Sequence, residues 1–183
     1  PLTSRLQHLK AGDRVLVGRK ATGTLLADNL LPGRNLYLLS TGTGLAPFMS
    51  IVKDPLVYER FERVILAHGV RFIADLAYAD EIATALPQDE LVGEEIRKKF
   101  KYYPAVTREE FRNRGRLTAL IESGQMAAGL DVAPLDGRLD RVMVCGSPAF
   151  LGDIVAMLEG RGFAEGSSNT PGSYVIEKAF VER

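Results

Sequence analysis

"YLLSTGTGLAPF", residues 37–48, runs from a strand-like apolar segment into a threonine- and glycine-rich turn that a proline closes. Two readings of the turn are open: a plain strand-to-helix connection, or one that holds a phosphate. It lacks the Lys-Ser/Thr pair of a P-loop, so nothing is supplied to grip a γ-phosphate and magnesium. Pro47 also stands where the third glycine of a G-x-G-x-x-G fingerprint belongs. The position still suits a pyrophosphate. Gly42 and Gly44 let backbone N–H groups approach closely, and Pro47 opens the helix where its missing N–H costs nothing.

Outward from this turn, short apolar runs alternate with helical stretches. "NLYLLS" (35–40) predicts a buried strand and "APFMSIVKD" (46–54) the helix leaving it. "RVILAHG" (63–69) predicts a second strand, followed by "IADLAYADEIATAL" (73–86), apolar at helical spacing. "FKYYPAVT" (100–107) is a third strand, and "LTALIESG" (117–124) a helix stopped by glycine. "DRVMVCG" (140–146) and "PAFLGDIVAMLEGRG" (148–162) repeat the strand–helix pair, and "SYVIEKAF" (173–180) is a fifth strand. Such alternation implies an α/β fold, a five-stranded parallel sheet with helices on both faces. Ligands of such sheets bind at the carboxyl ends of the strands. Residues 1–30 read differently: "LTSRLQHL" (2–9) as a short helix and "DRVLVGRKATGTL" (13–25) as β-rich with a turn. They are expected to be the tail of another domain, joined through "LADNLLPGRN" (26–35) to a unit spanning 31–183.

The strand ends carry the charge. A Rossmann domain for NAD places an acid on the ribose 2′-hydroxyl at the end of its second strand. Here that end reads "HGVR" (68–71). Arginine in place of the acid suits a 2′-phosphate, so the cofactor leans toward NADP. "TREEFRNRGR" (107–116) follows the third strand, where Thr107 offers a hydroxyl and Arg108 and Arg116 offer planar forks for a phosphate. The alternative for each arginine is a solvated surface charge. "RKKFKYY" (97–103) is the most basic short run; it reads as a solvated helix end or as a docking patch for acidic electron carriers.

Composition bounds the rest. Of 183 residues 46% are hydrophobic and 25% charged, 23 basic against 23 acidic, so bulk charge favours neither nucleic acid nor an anionic membrane, and neither is expected as a partner. The apolar runs fall short of the ~20 residues of a membrane helix, and no secretory signal is expected. One cysteine excludes an internal disulfide and fits a reducing cytoplasm, the expected location. Two histidines and one cysteine, far apart, leave no metal-ligand spacing, so no metal is expected. Pro1 stands where a methionine would start a chain, and the expectation is a fragment of a longer protein.

Seven separated stretches resemble the FAD-containing bacterial ferredoxin/flavodoxin–NADP reductases: "PLTSRL", "KATGTL", "STGTGLAPF", "HGVRFIADLAY", "TRE…RGRLT", "CGSPAF" and "YVIEKAFVER". They follow the family's order across essentially the whole chain. The resemblance implies the C-terminal remnant of an antiparallel FAD-binding β-barrel (1–30), then an NADP-binding α/β domain with a flavin-contacting tail (31–183). For FAD it implies Thr3, Ser4, Thr43 and Phe180. For NADP(H) it implies Thr41, Gly42 and Gly44 at the pyrophosphate turn, and Val70, Arg71, Thr107, Arg108 and Arg116 around the adenosine 2′-phosphate. Gly146, Ser147 and Pro148 would lie beside the nicotinamide. Cys145 near the hydride-transfer point, Glu177 near the flavin and Ala179, where plastid relatives end in a stacked aromatic residue, complete the catalytic set. One departure stands out: the family's Arg-x-Tyr-Ser segment, which holds the flavin, belongs upstream of "PLTS", and these residues contain none.

The implied activity is hydride transfer between NADPH and FAD, coupled to one-electron transfer to ferredoxin or flavodoxin, by a monomer. Such chemistry belongs to the cofactors and asks the protein for geometry more than acid–base groups. Cys145 is not expected to be a nucleophile, since nothing nearby in sequence lowers its pKa. The alternatives are an NADP-binding module that lacks flavin and activity of its own, and the reductase component of an oxygenase system. "YVIEK" (174–178) fits the Tyr-x-x-x-Lys of short-chain dehydrogenases, but in a strand-like segment rather than a long central helix, and is read as coincidence.

Overall fold

Five apolar runs become five parallel strands: β1 (Asn35–Thr41), β2 (Arg63–Val70), β3 (Phe100–Val106), β4 (Asp140–Cys145) and β5 (Tyr174–Glu177). The computed structural model describes residues 5–6, 8–19 and 23–177. The sheet order is β3-β2-β1-β4-β5, with Asn35 opposite both Arg63 and Asp140 and Thr41 opposite Gly69. Pro104 is tolerated in β3 because that strand lies at the sheet edge and pairs on one side only.

Alternate side chains of the central strands feed two cores. Leu36, Leu38, Leu66 and Met143 pack against α1 (Ala46–Ile51), α2 (Pro55–Arg60) and α3 (Gly93–Lys99). Tyr37, Leu39, Ile65 and Val144 pack against α4 (Leu117–Glu122), α5 (Gln125–Leu130) and α6 (Pro148–Gly160). Helices therefore cover both faces, as the alternation predicts. Local chemistry sets their ends. Asp54 caps α2 by accepting from the Leu56 N–H at 3.0 Å, Ser147 caps α6 by accepting from Phe150 N–H at 3.3 Å, and each helix opens on proline.

Two expectations fail. No described residue between 13 and 25 joins a strand, and Val15, Leu16 and Val17 lie exposed. A strand needs a hydrogen-bonded neighbour, and no described residue supplies one. Residues 73–86 do not form one helix. A short 3-10 turn (Ile73–Asp75) precedes Tyr78, whose φ of 58° lies in the left-handed region. Helical structure resumes as a π turn (Glu81–Ala85) and a 3-10 turn (Leu86–Gln88). The Asp75 carboxylate takes the Phe72 N–H at 3.1 Å, a local side-chain bond that competes with the helix. Only Ile82 and Leu86 of this stretch are buried; Ile73 and Tyr78 face solvent.

The basic run 97–101 ends α3 and enters β3, so it lies at the amino edge of the sheet. Its cations are engaged: Lys98 with Glu94 at 2.5 Å, Lys99 with Glu95 at 2.8 Å and with the Tyr58 carbonyl, and Lys101 with the Leu130 carbonyl at 2.7 Å. This geometry favours the helix-end reading.

At the same edge, buried Arg141 donates to the carbonyls of Leu31 (3.1 Å), Gly137 (3.2 Å), Pro32, Asp140 and Arg138, tying the segment before β1 to the loop before β4. Arg141→Met keeps the stem and strands these acceptors. It is expected to cost about 2–4 kcal/mol, read from the urea midpoint. Arg138→Met, at an exposed ion pair with Asp136, should move the midpoint within about 0.5 kcal/mol of wild type.

Candidate functional site

The strand order reverses at β1. Chain connections run from β1 through β2 to β3 on one side, and β4 and β5 lie on the other. A crevice opens at the carboxyl ends around such a point. Here it is a cleft of about 770 Å³ lined from the ends of β1 and β2, from the segments that follow β2, β3 and β4, and from the starts of α4 and α6.

The turn after β1 forms the floor, and its two glycines serve different ends. Gly42 has φ 53°, a left-handed conformation that suits glycine, and open space where a Cβ would stand. Gly44 is buried; a Cβ there would meet the Cys145 carbonyl oxygen at 2.3 Å. It lets the turn rest on the end of β4. Gly146 does the same from the other side, since a Cβ would meet Thr41 Oγ1 at 2.3 Å. Thr41 Oγ1 in turn accepts the Ser147 N–H at 3.2 Å, closing the floor between β1 and α6.

The far wall carries the predicted cations. Thr107 continues β3 and donates its N–H and Oγ1–H to the Val70 carbonyl, at 3.1 and 3.2 Å. Arg71 follows Val70, and Arg116 immediately precedes α4; both guanidinium-bearing residues are exposed and line the cleft. Asp153 of α6 approaches Arg116 at 3.8 Å. The structure thus brings together Thr41, Gly42, Thr43, Val70, Arg71, Thr107, Arg116, Ser147 and Pro148. Arg108 is placed differently, with its guanidinium 5.9 Å from the centroid of the Phe72 ring, outside the cleft lining.

Cys145 and Glu177 are paired neighbours at the ends of β4 and β5. Cys145 is buried, and burial, then the nearby Glu177 charge, push its thiol above the ordinary value. That is the reverse of an activated nucleophile. The Glu177 carboxylate is held by the Thr24 N–H and hydroxyl, each at 2.8 Å, so it fastens Thr24 to the sheet. Thr3, Ser4, Ala179 and Phe180 lie outside the described residues.

Sequence reasoning missed His68. It is fully buried at the end of β2, and its Nε2 lies 3.0 Å from the Gly42 carbonyl oxygen. A carbonyl only accepts, so Nε2 carries the proton and Nδ1 is a bare acceptor. Among the described residues Nδ1 has no partner. The signal available was a polar residue in an otherwise apolar strand run, "RVILAHG".

The profile of the oxidoreductase NAD-binding domain family matches residues 38–156. Ferredoxin–NADP reductase A of Sorangium cellulosum is 58% identical over 181 residues, 99% of this chain and 65% of that protein. The ferredoxin–NADP reductase of Pseudomonas aeruginosa is 53% identical over 184 residues, 100% of this chain and 71% of that protein. The chain belongs to the ferredoxin–NADP reductase family. It spans about two thirds of the length of these relatives and carries the family's NADP-binding part. A ferredoxin NADP+ reductase from Neisseria gonorrhoeae, solved with bound FAD and NADP, superposes with a TM-score of 0.82 at 28% identity, over 98% of this chain and 70% of that one. A structure of the CS-b5R domains of human Ncb5or, at 16% identity and a TM-score of 0.59 over 96% of this chain and 45% of that one, shares the fold.

Burial lowers the His68 pKa below its ordinary value, and the Gly42 carbonyl offsets this only in part. The unfolded chain then takes up a proton that the folded chain refuses, so this contribution to stability is complete above about pH 6.5 and shrinks as pH falls below it. Thermal melts at pH 7.5 and 5.5 should show a smaller loss on acidification for His68→Gln than for the parent chain; equal losses would assign the effect elsewhere.

Proposed function

We propose that this chain supplies the NADP(H)-binding half of a ferredoxin/flavodoxin–NADP reductase. In this reading residues 31–183 form the NADP domain and 1–30 the end of an FAD-binding barrel. The observation that carries it is the division of the cleft: a glycine turn at one end, and Arg71, Thr107 and Arg116 gathered from separate strand ends at the other. The open space at Gly42 fits a pyrophosphate oxygen approaching the turn amides. The planar cations fit a 2′-phosphate, which NAD lacks.

In this assignment Thr41, Gly42, Gly44 and Thr43 set the pyrophosphate turn, Val70 walls the adenosine, and Gly146, Ser147 and Pro148 lie toward the nicotinamide. Arg108 is assigned to the 2′-phosphate on resemblance; its guanidinium lies 5.9 Å from the Phe72 ring centroid, outside the cleft lining. Thr43, Thr3, Ser4 and Phe180 would hold FAD. When bound, the two cofactors supply hydride transfer and the release of single electrons. The chain's own part is positioning. Gly44 and Gly146 bring β1, β4 and α6 close together, and buried Cys145 adds small volume beside Glu177. Ala179 would leave space at the flavin face. The single cysteine fits a reducing cytoplasm, and a monomer acting on ferredoxin or flavodoxin is what the family resemblance implies. Among the described residues no helix is long and apolar enough to cross a membrane.

Two experiments test this. Arg71→Gln and Arg116→Gln should each weaken NADP+ binding about tenfold, the worth of one charge-assisted phosphate contact, and leave NAD+ binding within about twofold. Equal losses for both nucleotides would contradict the 2′-phosphate role. A chimera carrying the N-terminal part of the Pseudomonas aeruginosa relative should be yellow and reduce ferredoxin or flavodoxin with NADPH. A yellow chimera without turnover of any one-electron acceptor would sink the reductase reading.

A further inference from the structure

We infer that His68 is a positioning residue for the nucleotide turn, acting through the Gly42 carbonyl; this rests on the NADP reading above. Three observations meet here. His68 lies on the same face of the sheet as Leu66 and Ser40, at the carboxyl edge and directly beneath the turn. Its Nε2–H donates to the Gly42 oxygen at 3.0 Å. Gly42 is the turn residue in the left-handed conformation.

Peptide planarity converts this bond into an orientation. In a trans peptide the carbonyl oxygen and the following N–H point to opposite sides, and the chain contains no cis bond among the described residues. With the Gly42 oxygen drawn inward to His68, the Thr43 N–H is turned outward, on the side where Thr43 lines the cleft. Without His68 the Gly42 carbonyl keeps only the bonding of the 3-10 turn Gly42–Leu45, and the Gly42 dihedrals, which no Cβ restrains, hold this peptide plane less firmly. His68 thus holds one amide donor ready before the phosphate arrives, and the bound state loses less conformational freedom.

Stability alone does not call for a histidine here. The site is fully buried, and Nδ1 is an acceptor without a partner among the described residues. Such a group carries a desolvation cost that leucine would avoid. Ser40, one strand over, sends its hydroxyl to the Ala67 carbonyl at 3.1 Å and does not relieve it. The arrangement accepts that cost and keeps the one bond that points at the turn.

The test uses the 183-residue chain and two ligands, NADP+ and 2′-AMP, which carries the 2′-phosphate without the pyrophosphate. His68→Leu removes the donor at similar volume. His68→Gln keeps a donor near the Nε2 position, whereas the shorter His68→Asn does not reach. For Leu and Asn, NADP+ binding should weaken about tenfold, the size of one lost hydrogen bond, with 2′-AMP binding within about twofold of the parent. His68→Gln should bind both within about threefold of the parent. If His68→Leu fails to fold, the Gln/Asn pair makes the same comparison. Unchanged NADP+ binding in Leu or Asn, or parallel loss of both ligands, would overturn the positioning role. A parent chain that binds neither ligand would instead remove the NADP reading beneath it.

Discussion

The parallel register of β1 between β2 and β4 is the constraint on which the rest of this structure depends. Parallel pairing places the carboxyl ends of all five strands along one edge, so residues distant in sequence arrive side by side. From β1 the chain leaves to α1 on one face, and from β4 it leaves to α6 on the other. The two departures open the crevice between them. Thr41, Arg71, Thr107 and Ser147 share a cleft because each follows or ends a strand at that edge.

The edge is crowded at Gly44 and Gly146 and open at Gly42. Gly44 and Gly146 allow backbone and hydroxyl groups to touch at distances no side chain permits, which locks β1, β4 and α6 together. Gly42 faces open space and contributes conformation instead of contact. His68 ties these two regimes together by anchoring the open residue to the closed core. The opposite edge has its own fastening in Arg141, whose guanidinium gathers carbonyls from the segments leading into β1 and β4. Function and stability are therefore drawn from opposite ends of the same strands.

Much of this was legible. Buried strands of a parallel sheet are near-continuous apolar runs, and all five stood out because turn residues bounded them. Arginine at the end of β2 could be read because sheet topology fixes where that residue must point its chemistry. Other stretches misled. Val15, Leu16 and Val17 have strand propensity, but pairing is a property of neighbours, and no described residue pairs with them. Residues 73–86 have helical apolar spacing, yet Asp75 and left-handed Tyr78 divide them. That Arg116 lines the cleft while Arg108 lies beside Phe72 is a matter of packing, which the sequence does not show.

The sequence by itself determined the order of elements, the parallel sheet, the covered faces and the glycine-rich and basic character of the loops at the strand ends. Those properties are local: apolar periodicity, turn chemistry and charge at strand ends need no knowledge of distant residues. Tertiary structure alone decided which loop residues face one another and why the turn's glycines differ. It also joined Glu177 to Thr24 and gave His68 a partner twenty-six positions earlier in the chain. Those are contacts between segments far apart in sequence, and their geometry is set by strand register and close packing, which no local pattern encodes.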